Sequence, residues 1–192
     1  MKGKRPIEQG SNSVRRARTI YHGVPCITVE SIVSAPRIIA PSEHGISERD
    51  ISGPALKCLH RLHDSGYQAC LVGGGVRDLL LGRHPKDFDL ATDATPEQIA
   101  GVFRNCRLIG RRFRLAHVHF GRHYIEIATF RGPGDEGDRS MRDGRLVRDN
   151  VYGTIEQDAL RRDFTVNALF YDIADGSVKD FVGGYEDVLD KR

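Results

Sequence analysis

Three consecutive glycines, at positions 73–75, separate two segments of different periodicity. Residues 67–72 form a short apolar run that predicts a β-strand, and residues 76–81 have a helical pattern that stops at Gly82. Because glycine has no Cβ atom, such a turn lets phosphate oxygens approach backbone N–H groups. The turn is neither a P-loop nor the GxGxxG dinucleotide fingerprint. A tight turn without a ligand would need the same small residues, so both interpretations stay open.

Two aspartates follow the glycine turn with one residue between them. Residues 86–91 alternate as a strand does, so we expect Asp87 and Asp89 on one face and Phe88 and Leu90 in the core. Mg²⁺ in proteins is typically bound by one or two carboxylates, together with waters and substrate phosphates. We therefore predict that Asp87 and Asp89 are metal ligands, although paired surface aspartates are common and the motif alone is weak.

A third carboxylate would complete a two-ion site, and the sequence offers two candidates. Glu126 interrupts the otherwise apolar residues 123–130, where an acid is costly unless it is paired, protonated or bound to a metal. Asp163 directly follows Arg161 and Arg162, whose guanidinium groups can match phosphate oxygens in pairs. Either acid would also suit an exposed surface, so the choice between them stays open.

Positive charge is concentrated in two segments. Residues 1–45 hold seven basic and three acidic residues, a net charge of +4, and we expect a disordered basic arm there. Residues 104–122 hold six arginines and no acid, interleaved with apolar residues. This strip suits the phosphates of RNA or ATP, and Arg111, Arg112 and Arg114 are its central candidates.

The sequence excludes a membrane-spanning helix. No apolar run approaches the roughly 20 residues that a span requires. The basic start of the chain is not followed by the apolar stretch of a secretory signal. These features predict a cytoplasmic protein.

The remaining patterns predict an α/β fold. We expect a helix over residues 52–66, a helix with a capping box over residues 95–105, and a hairpin over residues 118–130. Residues 131–150 are rich in glycine and charge and predict a mobile loop. A second capping box starts a helix over residues 154–163. This order predicts a small mixed β-sheet with helices on one face.

These motifs, in this order, resemble the class II nucleotidyltransferase family, which comprises bacterial poly(A) polymerases and CCA-adding tRNA nucleotidyltransferases. The matching stretches are residues 71–82 (LVGGGVRDLLLG), 86–92 (KDFDLAT) and 161–168 (RRDFTVNA). The resemblance covers residues 46–192 and implies one head domain with the polymerase-β-like palm fold. The arginine-rich residues 104–118 are similar to the poly(A) polymerase branch, which we favour over the CCA-adding branch.

The resemblance also implies a mechanism. Asp87 and Asp89 would hold two Mg²⁺ ions, with Glu126 or Asp163 completing the acidic set, and AMP would pass from ATP to an RNA 3′-hydroxyl without a template. The family motifs that contact the nucleotide correspond here to Gly73, Gly74, Arg77, Arg161, Arg162 and Asn167. Asp163 belongs to the same motif, so the resemblance leaves open whether it orients the nucleotide or binds metal. Asp172, Asp175 and Asp180 resemble a further acidic motif of the family, although a hairpin turn at residues 175–176 explains them equally well.

The sequence departs from the family at its C-terminal end. In the family the head is followed by helical neck and body domains, which read the base of the nucleotide, and we expect these regions to lie outside this sequence. Selection of ATP over CTP is therefore not encoded in the residues at hand. Two alternatives stay open, a CCA-adding enzyme and a non-catalytic RNA-binding fragment.

Overall fold

The computed structural model describes residues 20–21, 24–25, 35–110, 114–133, 140–142, 145–148 and 151–191. The chain divides into two units, Met1–Val33 and Ser34–Arg192. In the first unit, strand β1 (Ile20–Tyr21) pairs antiparallel with β2 (Val24–Pro25). The predicted disorder of the basic arm otherwise lies outside the described residues.

An eight-stranded mixed sheet forms the centre of the second unit. Its strands are β3 (Arg37–Ile39), β4 (Ala69–Val72), β5 (Asp89–Thr92), β6 (Cys106–Ile109), β7 (Leu115–Phe120), β8 (His123–Thr129), β11 (Leu169–Asp172) and β12 (Val178–Asp180). A separate hairpin consists of β9 (Ser140–Arg142) and β10 (Arg145–Arg148). The order in the sheet is β3-β12-β11-β4-β5-β8-β7-β6, and β9 pairs with β10 apart from it. Neighbouring strands are antiparallel except for β5 and β8, which are parallel.

In the described ranges six α-helices accompany the sheet, and their starts follow the sequence closely. They are α1 (Pro41–His44), α2 (Gly53–Asp64), α3 (Gly74–Leu80), α4 (Pro96–Val102), α5 (Ile155–Leu160) and α6 (Gly184–Leu189). The capping boxes of Thr95 with Gln98 and of Thr154 with Gln157 are both formed, as predicted. Within the described ranges, no helix combines the length and the apolar character that crossing a membrane requires.

Apolar residues pack against both faces of the sheet. On one face, Leu71, Leu90 and Ile127 pack in one cluster with the buried leucines of α2 and with residues of α3 and α4. On the other face, Val72 and Phe170 pack with Ile155 of α5. The predicted mixed α/β fold is confirmed. The expectation of helices on one face holds for α2, α3 and α4 but is incomplete, because α5 covers part of the second face.

Three local predictions differ from the structure. Residues 37–44, assigned to the disordered arm, form β3 and α1, because the backbone of β3 pairs with β12 at the sheet edge. Strand β5 begins at Asp89 rather than at residue 86, and α5 ends at Leu160, before the Arg161–Arg162 pair. The predicted loop of residues 131–150 contains the β9–β10 hairpin.

Candidate active site

Two neighbouring strands bring the central carboxylates together. Asp89 opens β5, and the parallel register of β5 with β8 sets Leu90 opposite Ile127, so Asp89 lies beside Glu126. Leu90 and Ile127 belong to the helix-covered core, and side chains alternate along a strand. The carboxylates of Asp89 and Glu126 therefore share the opposite face of the sheet.

The surroundings of Asp89 disfavour its negative charge. Desolvation by the surrounding protein raises its pKa, and the nearby carboxylates of Glu126 and Asp87 raise it further, while Arg162 acts to lower it. Among the residues that the structure describes, no ion pair forms to Asp87 or Asp89. A bound cation would relieve this repulsion between like charges.

The carboxylate pair suits an open magnesium site better than a metal site that protein ligands fill by themselves. In the described part of the chain, no group of three or more His, Cys, Asp or Glu side chains is arranged to hold a metal ion by itself. Mg²⁺ does not need such a group, because one or two carboxylates suffice when phosphates and waters complete the octahedron. The exposed side chains of Asp87 and Asp89 leave room for those additional ligands.

The structure separates the two candidates for a third carboxylate. Glu126 is one of the two acids whose charges raise the pKa of Asp89, and it also contacts His117 at 3.3 Å. Asp163 lies exposed on the turn after α5, next to the 3₁₀-helix of residues 165–167. The geometry groups Glu126 with the aspartate pair.

The glycine turn contacts two of the predicted nucleotide-binding residues. Gly73 has φ 70° and ψ −140°, a conformation that side chains rarely adopt, and it lies directly before α3. Arg77 of α3 donates a hydrogen bond from Nη1 to Oδ1 of Asn167 at 2.9 Å, and also binds Asp78 at 2.8 Å. A Cβ atom on Gly73 would lie 3.9 Å from Nη1 of Arg162. The glycine turn therefore lies beside Arg77 and Arg162, and Arg77 is joined to Asn167.

Asp158, which the sequence did not single out, holds both arginines of the RRD motif. Its side chain is 2% exposed, and its two oxygens accept from Arg161 Nη2 at 3.1 Å and Arg162 Nη2 at 2.8 Å. The Nε atoms of the same arginines donate to it at 3.1 and 2.9 Å, and the backbone N–H of Arg131 donates at 3.1 Å. The spacing of three and four residues is the sequence signal that indicates these pairs.

Phe164 has strained backbone geometry in the same motif. It is a non-glycine residue at φ 60°, and 76% of its surface is exposed. Strain of this kind persists only where the surrounding structure imposes it, and it often occurs at functional sites. Here Gly184 of α6 packs so closely that a Cβ atom on it would lie 2.1 Å from the carbonyl oxygen of Thr165. No feature of the sequence indicated this strain.

The predicted arginine strip is only partly described. Arg111 and Arg112 lie outside the described residues, so their predicted contacts with RNA stay predictions. Arg114 forms an exposed ion pair with Glu97 at the start of α4. This pair points the Arg114 side chain toward the helix-covered side of the sheet, away from Asp89 and Glu126.

Comparisons with known proteins show to which family the chain is similar. Residues 69–192 match the family described as the Poly A polymerase head domain. The chain is 58% identical over 167 residues to poly(A) polymerase I of Salmonella typhi, covering 83% of this chain and 36% of that protein. It is 41% identical over 140 residues to the CCA-adding enzyme of Bacillus pumilus, covering 72% of this chain and 33% of that protein. The chain spans about a third of the length of these curated relatives.

The similarity extends to a solved structure. The Bacillus stearothermophilus CCA-adding enzyme in complex with CTP matches with a TM-score of 0.59 and 33% identity, over 71% of this chain and 31% of that chain. The predicted nucleotidyltransferase fold is thereby confirmed.

Proposed function

Because the chain belongs to the family of poly(A) polymerase head domains, we propose that it is the catalytic head of an enzyme that adds AMP from ATP to RNA 3′ ends. The observation that carries this proposal is the cluster of Asp87, Asp89 and Glu126, which faces Arg162 beside the glycine turn. Carboxylates that can bind cations thus lie next to an arginine that can bind phosphates. Nucleotidyl transfer to an RNA end requires both.

Asp87 and Asp89 are the proposed ligands of two Mg²⁺ ions, with Glu126 beside them. When bound, the ions activate the 3′-hydroxyl of the RNA and stabilise the pyrophosphate that leaves. The three carboxylates would hold the ions at the start of β5, where Asp89 lies beside Glu126. Asp163, exposed on its turn, is assigned to nucleotide orientation.

The arginines and the glycine turn are the proposed triphosphate site. Gly73 and Gly74 leave backbone N–H groups accessible, and Arg161 and Arg162 supply planar guanidinium groups that match phosphate oxygens in pairs. Asp158 fixes the directions of both guanidinium groups through its two oxygens. Arg77 and Asn167 close the side of the site through their mutual hydrogen bond.

Adenylation is favoured over CCA addition by two observations. Identity to poly(A) polymerase I reaches 58%, against 41% to the CCA-adding enzyme of Bacillus pumilus. The arginine-rich residues 104–118 also resemble the poly(A) polymerase branch of the family. We therefore assign the enzyme to RNA processing or decay in the cytoplasm, where ATP and RNA are both present.

A primer-extension assay tests the proposal. The full-length gene product is incubated with Mg²⁺, one nucleoside triphosphate at a time, and either an unstructured RNA or a tRNA that lacks its CCA end. We expect a run of A on the unstructured RNA with ATP alone.

The other outcomes identify the alternatives. Addition of C and then A, confined to the tRNA, would establish the CCA-adding function instead. RNA binding without Mg²⁺, combined with no transfer of any nucleotide, would establish a non-catalytic RNA-binding protein.

A further inference from the structure

We propose that the face of strands β6, β7 and β8 opposite α2 and α4 binds the single-stranded 3′ segment of the RNA, with Tyr124 as the stacking surface for a base. This surface, the β6–β8 face, is defined by Arg107, His117, His119 and Tyr124. This proposal rests on the proposed function and deepens it, because the RNA would reach the carboxylates along this surface.

The strand register forms a row of side chains that ends at the carboxylates. Arg107 of β6 is paired with His117 of β7, and His117 is paired with Glu126 of β8. Directly opposed residues share a face of the sheet, and Asp89 continues the row on β5. The row thus runs from a basic edge strand to the candidate catalytic centre.

Tyr124 presents an exposed aromatic ring next to this row. Its ring stacks on His117 with centroids 4.2 Å apart and an angle of 7° between the planes, and His119 lies 5.9 Å away. Tyr124 is nevertheless 51% exposed, which is unusual for a large ring on a sheet. The stack holds the ring in place, and the exposed part of the side chain can offer a π-face to a base.

The position of Tyr124 suits an RNA end in transit to the site. Tyr124 lies two residues before Glu126 on the same strand, a separation of roughly 7 Å. A base stacked on Tyr124 therefore leaves the next nucleotide of the strand within reach of Asp89 and Glu126. A stacking contact reads no base edge, so the surface accepts an RNA of any sequence.

The charge of this region complements a phosphodiester chain. Among the described residues 104–110 and 114–130, Glu126 is the single acid. Arg104, Arg107 and Arg122 are exposed on or beside strands β6 to β8. A protein partner of ordinary composition would not need this excess of positive charge, whereas single-stranded RNA requires it.

RNA binding without nucleotide or Mg²⁺ tests the proposal independently of catalysis. A short unstructured fluorescent RNA is titrated with the full-length gene product, and its anisotropy is followed at several salt concentrations. The variants are Tyr124→Ala, Tyr124→Phe and Arg107→Ala. Lys57→Ala, which removes an exposed charge from α2 on the opposite side, is the matched control.

We expect Tyr124→Ala to weaken RNA binding about fivefold or more, because base–aromatic stacking contributes at that level. Tyr124→Phe keeps the ring and should bind within about twofold of the parent protein. Arg107→Ala should make the dependence of log affinity on log salt less steep, by about the amount that one phosphate contact contributes to the slope. Lys57→Ala should leave this slope unchanged.

RNA affinity that is unchanged in both Tyr124→Ala and Arg107→Ala overturns the proposal, as does a parent protein that binds no RNA at low salt. A change of oligomeric state in Tyr124→Ala without a change in RNA affinity would identify this face as a contact between copies of the chain. None of these results depends on nucleotidyl transfer. Failure of the proposed function is recognised separately, by undiminished AMP transfer in Asp89→Asn.

Discussion

The acids around β5 and the acid at the end of β12 have opposite surroundings. Asp180 is 4% exposed, and its carboxylate accepts hydrogen bonds at 2.9 to 3.1 Å from four backbone N–H groups at the start of α6. Asp87 and Asp89 face Glu126 instead, and in the described part of the chain neither forms an ion pair. The backbone thus satisfies the charge of Asp180, whereas the described residues form no ion pair with Asp87 or Asp89, which we propose as metal ligands.

We interpret this difference as one between acids that stabilise the fold and the acids of the proposed catalytic site. Asp158 and Asp172 belong with Asp180, because Asp158 holds two arginines and Asp172 pairs with Lys179 at 2.5 Å. A buried acid with complete partners is costly to remove, whereas acids that repel each other reduce stability until a cation binds. Loss of an acid should therefore destabilise the first group and stabilise the second.

The largest effect is expected for Asp180→Ala. The substitution leaves four backbone N–H groups without their acceptor, so we expect the free energy of unfolding to fall by about 3–4 kcal/mol. Urea denaturation followed by circular dichroism measures it. Asp64→Ala, at the exposed end of α2, is the control and should change stability by less than about 0.5 kcal/mol. Equal effects of the two variants would contradict the structural role of Asp180.

Asp158→Ala should have the next largest effect. Arg161 and Arg162 lose their buried partner but are 38% and 21% exposed, so water replaces part of the interaction. We expect a loss of about 2–3 kcal/mol in urea denaturation, with a smaller loss in Asp158→Asn.

ATP binding separates the two roles of Asp158. Because the arginines lose their fixed direction, ATP affinity by calorimetry should fall about tenfold in Asp158→Ala. Unchanged affinity in a folded variant would contradict the positioning of the arginines by Asp158.

Asp89→Asn should act in the opposite direction. Without Mg²⁺, removal of one charge from the cluster relieves repulsion, so the melting temperature at neutral pH should rise by about 1–3 °C. Glu126→Gln should produce a similar rise, whereas Asp163→Asn, outside the cluster, should not. If the melting temperature rises in Asp163→Asn but not in Glu126→Gln, the third carboxylate of the cluster is Asp163 and not Glu126.

The smallest and most specific effect is the pH dependence of the gain in melting temperature in Asp89→Asn. The pKa of Asp89 is raised in the folded state, mainly by desolvation and then by Glu126 and Asp87, so its contribution to stability is lost as pH rises through that pKa. The melting temperature of Asp89→Asn should match the parent protein below about pH 3.9, the ordinary value for aspartate, and exceed it above the raised pKa. A difference independent of pH would contradict charge repulsion as the cause.

Local signals in the sequence predicted much of this fold. The capping boxes at Thr95 and Thr154 and the glycine turn at residues 73–75 depend on neighbours within a few positions, and the structure confirms each of them. Phe88 and Leu90 also pack in the helix-covered core, as their alternation predicted.

Features that depend on distant parts of the chain could not be predicted. The pairing of Asp89 with Glu126 follows from the parallel register of β5 and β8, which are separated by two intervening strands in the sequence. The close packing of Gly184 of α6 against Thr165 depends on residues distant in the sequence, and the inclusion of β3 depends on pairing with β12. Asp158 had a local signal in its spacing to the arginines, but its burial depends on tertiary packing.

The most direct test measures AMP transfer and melting temperature together in Asp87→Asn and Asp89→Asn of the full-length gene product. If these carboxylates serve the reaction and not the fold, transfer to RNA should fall by about a thousandfold or more while the melting temperature stays equal or rises. Transfer within about tenfold of the parent protein in both variants would contradict the assignment of the site.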